Sequence, residues 1–426
     1  MRKLYYGWII VGVSFVCFAL AVGARFSFSI FYVALLKDFG WSRGSTAGAY
    51  SLGMVVYALS SPLVGGLFDR FGPRGLFPLG ALLLGLGLVL SSRIDAVWHL
   101  YVLQGFVIAF GISALGFGPN AAYIARWFRR RLGTANGIAI AGIGVGLLFL
   151  GPGIQWVIER YDWRTAYLLF GLLIPLLLVP LSLIFQRSRP EAMGLAVDGA
   201  PPAESPAASS SDIASPAGDA SPPFASIARS RDFQLMFPVA MVIGFTNNLM
   251  MIHAVAHMVD VGYTPMLAAT SLGLVNIMRT CGSLLGGYAS DRVGRRRAYL
   301  LGSACSAAGV LLFMNIHLGI TVLYAFLLCY GIGLGALSPI YGALISDIAP
   351  GRRLGFIMGL FEIVYGLSGA FGAWFAGMLF DRWRSYTVPF LIVLAAMGIA
   401  CLCIVAMGRA PASSRGTAPA ATPRSR

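Results

Sequence analysis

Apolar stretches of about 20 residues recur along the whole chain and restrict it to one class of fold. An α-helix needs roughly 20 predominantly apolar residues to cross a bilayer, and such stretches return between residues 6 and 408. Of the 426 residues, 58% are hydrophobic and 11% are charged, whereas a soluble domain carries about 25% charged residues. The chain is therefore predicted to be an all-α membrane protein and not a soluble multidomain enzyme.

The apolar stretches predict twelve transmembrane helices in two bundles of six. Their predicted bounds are 6–36, 44–68, 75–92, 97–125, 133–158, 164–185, 233–260, 265–290, 298–315, 318–346, 355–380 and 386–408. The resulting units are an N-terminal bundle at 1–186, a cytoplasmic linker at 187–230, a C-terminal bundle at 231–409 and a tail at 410–426. Residues 200–223 are rich in Ala, Pro and Ser and cannot form a core, so the linker and the tail are predicted to be flexible.

The basic residues predict the orientation in the membrane. The net charge of +15 comes from short clusters between the spans, without the basic stripe and interleaved aromatics of a nucleic-acid interface. With both termini in the cytoplasm, the inside segments hold 22 Arg or Lys and the outside loops hold seven. This excess predicts an N-in, C-in protein. All six cysteines lie inside apolar runs without metal-ligand spacing, so no metal or cofactor is predicted.

Two motifs occur twice, each time 222 residues apart. They are GGLFDRFG at 65–72 with GYASDRVG at 287–294, and RRLG at 130–133 with RRLG at 352–355. Two independent motifs with one offset indicate an internal repeat. Parallel six-helix repeats are a known plan of transporters, with the substrate site between the halves near the midplane. Asp69, Arg70, Asp291 and Arg292 of the first motif are predicted to control the cytoplasmic ends during conformational switching.

The pattern G-x-x-x-D-R-x-G-x-R at 65–74, repeated at 287–296, resembles the signature loop of the major facilitator superfamily; Pro73 departs from it, because a basic residue is common there. Further segments resemble the bacterial monocarboxylate and oxalate–formate branch. These are YGW at 6–8, GARFSF at 23–28, FGWSR at 39–43, WF at 127–128, DWR at 162–164 and RPEAMGL at 189–195. The resemblance implies a transporter of small carboxylates, coupled to protons or to exchange, in which Arg279 of the eighth span binds the carboxylate.

Arg279 is also the most informative residue on physical grounds. An ionised side chain in the middle of a span costs at least about 2.5–3.5 kcal/mol on insertion scales, so it needs a partner or a function. A guanidinium group holds a carboxylate through two parallel hydrogen bonds and keeps its charge. We therefore predict that Arg279 binds substrate. The alternative is a structural ion pair with Glu362 of the eleventh span.

Three other ionisable residues within the spans are candidates for a function. Arg25 of the first span has two open interpretations: a pathway or gating residue, or a side chain that snorkels to the interface. His253 has an unperturbed pKa near 6.5 and is a candidate for proton coupling. Glu362 is the second candidate, because Val275 stands where animal-type monocarboxylate carriers have an aspartate.

Four polar side chains are predicted to complete the substrate pocket beside Arg279. They are Asn120, Asn248, Tyr341 and Ser368. Asn120 follows Pro119, where a kink is predicted. Ser368 stands where the similar segment of the oxalate–formate antiporter carries a lysine. Because two cations suit a dianion and one suits a monoanion, this departure favours a monocarboxylate.

The sequence thus predicts a transporter that moves a lactate- or pyruvate-sized monocarboxylate with a proton by alternating access. The alternative within transport is a carboxylate exchanger of the oxalate–formate type. No hydrolytic or metal motif is present, so the chain is predicted not to be an enzyme. Its partners would be the substrate, a proton and bilayer lipid, and it would function as a monomer. Two Lys against 29 Arg suggest a GC-rich bacterial genome, and hence a bacterial inner membrane.

Overall fold

The structure, a computed structural model, describes residues 5–129, 131–199, 224–348 and 354–407, and these ranges are helical throughout apart from connecting segments. The α-helices are α1 (Gly7–Phe39), α2 (Arg43–Ser91), α3 (Val97–Val102), α4 (Ala109–Leu115), α5 (Phe117–Ala125), α6 (Leu132–Arg160), α7 (Trp163–Phe185), α8 (Phe224–Arg229), α9 (Arg231–Asp260), α10 (Pro265–Val293), α11 (Arg295–Met314), α12 (Ile320–Ile348), α13 (Leu354–Trp383) and α14 (Thr387–Ala406). In the described ranges, ten helical segments are long and apolar enough to cross a membrane. The prediction of an all-α membrane protein is confirmed.

Two elements explain the difference between these ten segments and the twelve predicted spans. The 49-residue α2 covers the second and third predicted spans, and Gly72, at φ 65° and ψ −178°, interrupts its helical geometry between them. α10 is long enough at 29 residues, but the polar side chains along it, Arg279 among them, lower its mean hydropathy. The twelve-span count and the N-in, C-in orientation remain predictions.

The fourth predicted span is broken, and Asn120 repairs the break. A π-helical turn, Leu103–Ile108, joins α3 to α4, and the chain bends at Gly116, three residues before the predicted kink at Pro119. Because proline has no backbone N–H, Pro119 cannot bond to the carbonyl of Leu115. Asn120 Nδ2 donates to this carbonyl at 2.8 Å and to that of Gly116 at 3.1 Å. The amide therefore replaces a missing backbone donor.

Glycines allow α10 and α12 to approach closely beside Arg279. A Cβ atom on Gly331 would lie 2.9 Å from the carbonyl oxygen of Val275, and one on Gly335 would overlap the backbone of Arg279. Helices in a membrane associate through such close contacts of small residues, since lipid supplies no hydrophobic driving force between them. The backbone of Arg279 is thus held against α12.

The two halves are joined at the end of the bundle where α1 ends and α2 begins, which we call the closed end. Arg43 makes a bidentate ion pair with Asp260, at 2.7 and 2.8 Å, and donates to the Tyr386 hydroxyl at 2.7 Å. The backbone N–H groups of Arg43 and Gly44 donate to the Asp381 carboxylate at 2.8 and 2.7 Å. The first turn of a helix has unpaired N–H groups and a positive dipole end, so it favours an anion. Side chains of the second half therefore cap a helix of the first.

At the opposite end, which we call the linker end, two ion pairs lie within single halves. Asp69 lies 3.2 Å from Arg126 in the first half, and Arg295 pairs with Asp347 in the second. The repeat is therefore asymmetric at this end: Asp291, the counterpart of Asp69, is exposed, and the second pair uses other residues.

The two arginines of the repeated loop contact aromatic rings. The Arg70 guanidinium carbon lies 5.3 Å from the ring centre of Phe71, and that of Arg292 lies 4.8 Å from the ring centre of Tyr288. Both contacts are local to their own helices, and each is within the range of a cation–π interaction.

The first described part of the predicted linker, residues 187–199, lies against the first half, whereas Ile227 of α8 packs with Phe233 and Met236 of the second half. The Tyr123 hydroxyl donates to the carbonyl of Arg187 at 2.9 Å. The Asp198 N–H donates to the Trp127 carbonyl at 3.1 Å, and its carboxylate accepts from the Arg129 N–H at 3.1 Å. Residues 187–199 are thus attached to the N-terminal bundle. The rest of the linker up to residue 223 and the tail at 410–426 lie outside the described residues.

Replacing Arg43 by Gln is expected to separate the halves at the closed end. Charge-assisted hydrogen bonds contribute about 1.5–3 kcal/mol each, and 1.4 kcal/mol is a factor of ten in an equilibrium constant. The population with separated ends should therefore rise about tenfold or more. The measurement is the distance distribution between spin labels on cysteines introduced at Arg93 and His317, which are exposed on loops of opposite halves, in a background without the native cysteines.

Arg164→Gln is the matched control, because Arg164 pairs with Asp38 and Asp95 of its own half at the same end. Asp381→Asn should act in the same direction as Arg43→Gln. An unchanged distance distribution in both Arg43→Gln and Asp381→Asn would show that these contacts do not hold the two halves together at the closed end.

Replacing Gly335 by Ala is expected to lower the melting temperature, since overpacking a close contact costs about 1–3 kcal/mol. Gly398→Ala is the control: nothing lies within 4 Å of a Cβ at Gly398, and alanine in a helix interior is favoured over glycine by about 0.5–1 kcal/mol. Thermal unfolding in detergent should therefore shift in opposite directions for the two variants. A shift of the same sign would contradict the packing argument.

Candidate functional site

Two arginines from opposite halves contact adjacent asparagines of α9. Arg25 of α1 directs Nη2 toward Oδ1 of Asn248, at 3.5 Å. Arg279 of α10 donates from Nη1 to Oδ1 of Asn247, at 3.1 Å. Asn247 and Asn248 are both buried near the middle of the 30-residue α9. The asparagine pair thus brings both guanidinium groups to the interface of the two bundles.

Neutral groups surround Arg25. Its Nε donates to the Tyr50 hydroxyl at 3.2 Å, and this hydroxyl donates to Oδ1 of Asn248 at 3.1 Å. Nη2 also contacts Sδ of Met54, and the guanidinium carbon lies 5.1 Å from the ring centre of Tyr57. A cavity of about 20 Å³ beside Arg25 has room for one water molecule. Arg25 therefore points into the protein interior and does not snorkel to the interface.

Arg279 is connected to α13 through Asn247. Nδ2 of Asn247 donates to the Tyr365 hydroxyl at 2.8 Å, so a chain of hydrogen bonds runs from α10 through α9 to α13. Within the described ranges Arg279 forms no ion pair with Glu362. The alternative of a structural pair is therefore absent from this conformation, and the guanidinium keeps donors free.

Glu362 lies on the same face of α13 as Tyr365, one helical turn closer to the linker end. Gly366, one turn further along the same face, lies against Ala58 of α2 in the first half. The Glu362 side chain is exposed. Glu362 is therefore on the face of α13 that packs on the first half, on the linker-end side of Tyr365.

Among the described residues, only one of the four predicted pocket side chains, Asn248, directly contacts an arginine of the site. Asn120 lies at the break before α5. The Ser368 hydroxyl donates to the carbonyl of Tyr365 at 3.0 Å, and the side chain is 8% exposed. The Tyr341 ring packs against Phe361 at 6.4 Å between centres, and its hydroxyl is buried without a hydrogen-bond partner in the part that the structure describes.

His253 belongs to the network of the closed end. It lies five residues from Asn248, about 7.5 Å along the helix, and is completely buried. Nε2 lies 2.8 Å from the carbonyl of Ala373 and Nδ1 lies 3.0 Å from the Tyr386 hydroxyl. Because a carbonyl only accepts, Nε2 carries the proton, and in the neutral ring Nδ1 accepts from Tyr386. The ring is therefore connected to Arg43 through the Tyr386 hydroxyl, by two hydrogen bonds.

The sequence did not single out the residues that connect the two arginines. Tyr50 and Tyr365 are tyrosines in apolar spans, where packing is the usual interpretation. Asn247 could have been identified from the sequence, because Asn247 and Asn248 are consecutive in one span. Their side-chain amides point in different directions from the helix, and each needs a hydrogen-bond partner. The closed-end contacts of Arg43 gave no signal, since Asp381 is 338 positions away in the chain.

Comparison with known proteins places the chain in a family. The sequence profile of the Major Facilitator Superfamily matches residues 14–287 and 236–425. Monocarboxylate transporter 13 of Bos taurus is 29% identical over 403 residues, covering 92% of this chain and 88% of the relative. Monocarboxylate transporter 3 of Mus musculus is 36% identical over 166 residues, covering 39% of this chain and 34% of the relative.

Solved structures agree in fold. A bacterial homolog of the human lysosomal transporter Spinster, in an inward-facing and unoccupied conformation, superposes with a TM-score of 0.67 at 14% identity, covering 95% of both chains. A D-xylose–proton symporter superposes with a TM-score of 0.69 at 16% identity, covering 94% of this chain and 97% of the other. The profile covers most of the sequence, and the chain belongs to the Major Facilitator Superfamily of transporters, which are not enzymes.

Proposed function

We propose that this protein moves small monocarboxylates, of the size of lactate or pyruvate, together with a proton by alternating access. The observation that carries the proposal is the convergence of Arg25 and Arg279 on adjacent asparagines between the halves. A carboxylate accepts hydrogen bonds more strongly than an amide oxygen, because it is charged. The names of the similar proteins, monocarboxylate transporters, support the same substrate class.

Arg279 is proposed to bind the substrate carboxylate. Asn248, Asn120, Ser368 and Tyr341 are proposed to complete the pocket as it changes shape during transport. The buried hydroxyl of Tyr341 has no hydrogen-bond partner among the described residues. The Oδ1 atom of Asn120 is buried and has no partner among the described residues, so it is available to accept a hydrogen bond in another conformation.

With both termini in the cytoplasm, the closed end faces outward and this conformation is inward-facing. Opening to the outside then requires Arg43 to leave Asp260 and Asp381, and closure of the linker end to bring the repeated loops together. Asp69, Arg70, Asp291 and Arg292 are proposed to form contacts between halves in that second state. The proposed location is the inner membrane of a bacterium, and the proposed functional unit is a monomer.

His253 and Glu362 are the proposed proton-coupling groups. A proton on Nδ1 of His253 turns this atom into a donor, so the hydrogen bond from Tyr386 must reverse. Tyr386 also accepts from Arg43, and protonation therefore acts on the closed-end network. This link between a proton and the gate supports His253 as the group that couples them.

Replacing Arg279 by Gln is expected to abolish uptake of labelled L-lactate into proteoliposomes, because glutamine offers neither the charge nor the paired donors. An inside-alkaline pH gradient should stimulate uptake by the unaltered protein. The variant should elute and melt like the unaltered protein, since Arg279 has a neutral partner. Uptake at the normal rate by Arg279→Gln would remove this residue from the site.

Arg279→Lys and Arg164→Gln serve as controls. The lysine keeps the charge but not the bidentate geometry, and should retain a small part of the activity. Arg164 has its partners in the first half at the closed end, so its replacement should leave uptake nearly unchanged.

Replacing His253 by Gln is expected to remove the stimulation by the pH gradient while exchange of internal for external lactate continues. Glutamine keeps a donor and an acceptor but does not titrate. The measurement compares gradient-driven uptake with counterflow in the same vesicles. Full stimulation in the variant would exclude His253 and leave Glu362 or the substrate carboxyl itself as the carrier of the proton.

A carboxylate exchanger is the second candidate, and the presence of two arginines in the site favours it, since two cations suit a dianion. Exchange requires internal counter-substrate and does not respond to pH. Uptake of labelled oxalate only into vesicles preloaded with formate or oxalate, with no effect of the gradient, would establish this function in place of symport.

A further inference from the structure

Two cations and one acid form the charged part of the site. Arg25 contacts a hydroxyl, an amide oxygen, a thioether and an aromatic ring, and Arg279 contacts an amide oxygen. In the described ranges neither guanidinium makes an ion pair. Both charges are therefore available to an anion that enters between the halves.

Glu362 is placed to offset one of these charges, and in the described ranges it forms no ion pair with either arginine. It shares a face of α13 with Tyr365, which binds Asn247, and with Gly366, which lies against Ala58 of α2 in the first half. Its side chain is exposed. A substrate on the two arginines would therefore meet the Glu362 carboxylate next.

The sum of these three charges is one positive charge. A monoanion neutralises it, whereas a dianion leaves one excess negative charge and faces a like charge at Glu362. Uncompensated charge is costly where water is largely excluded. Charge selection of this kind works by repelling the wrong ligand as much as by binding the right one.

We propose that Glu362 determines the charge class of the substrate, by restricting a site with two arginines to monoanions. The proposal rests on the proposed function, carboxylate transport, with His253 and not Glu362 as the group that takes the proton. Glu362 is then a specificity residue that acts through the net charge of the site. Removing its charge changes the preference of the site from monocarboxylates to dicarboxylates.

The test measures the Kd of L-lactate and of malonate for the full-length protein in nanodiscs by calorimetry. The unaltered protein is expected to bind lactate at least tenfold more tightly than malonate. In Glu362→Gln the affinity for malonate should rise at least tenfold and the ratio of the two affinities should reverse. Glu159→Gln is the matched control, because Glu159 bonds to Gln155 on α6, away from the site, and its ratio should stay unchanged.

A charge-restoring variant separates this role from a structural one. Arg25→Gln combined with Glu362→Gln returns the sum to one positive charge, so the preference for lactate should return, although both ligands bind more weakly. If Glu362 had only a structural role, replacing Arg25 as well would not restore the preference for lactate. The double variant also carries the test where the single variant does not fold.

The outcomes distinguish the two proposals. If the unaltered protein binds neither lactate nor other monocarboxylates, the proposed function fails. If it binds lactate and Glu362→Gln keeps the original ratio of affinities, the charge proposal is overturned while the function stands. Equal binding of lactate and malonate by the unaltered protein also overturns the charge proposal.

Discussion

The cost of holding a guanidinium group away from water governs the centre of this protein. Each of the two central arginines needs acceptors, and α9 supplies them as consecutive side-chain amides. Because Asn247 and Asn248 point toward different neighbours, one helix serves cations from both bundles. Tyr50 and Tyr365 extend the chain of hydrogen bonds to α2 and α13. The hydrogen bonds around the two charges thus connect α9 to α1, α2, α10 and α13.

Much of the fold follows from sequence, because membrane solvation acts on whole segments. Lipid requires every spanning segment to satisfy its own backbone, so apolar runs of the right length predict helices. The same argument fails at breaks. Gly72 breaks the helical geometry of α2, and the chain turns back there, because Asp38 before α2 and Asp95 after it both pair with Arg164. The bend at Gly116 is accompanied by a side-chain amide that replaces a backbone donor.

The site was only partly predictable, for a different reason. A charged side chain within a span indicates that it has a partner or a ligand, but the sequence does not give the position of that partner. Arg279 was identifiable from its cost alone, and Asn248 from its span, while the direction of Arg25 required the packing of α1 against α2 and α9. Glu362 was visible as an acid within a predicted span, but its position relative to the first half depends on packing between α13 and α2, which lie about 300 positions apart in the chain.

The bond between Arg25 and Asn248 has a consequence for the unloaded protein. Oδ1 of Asn248 occupies a position on the guanidinium that an oxygen of an anion would otherwise take, so it acts as an internal substitute ligand. A carrier that must return empty across its cycle would otherwise expose a bare cation to a dry interior. In the proposed transport cycle, such a substitute ligand lowers the cost of returning the empty form, and the anion displaces an amide when it binds. The affinity for the anion is thereby lower, while the empty protein changes conformation more easily.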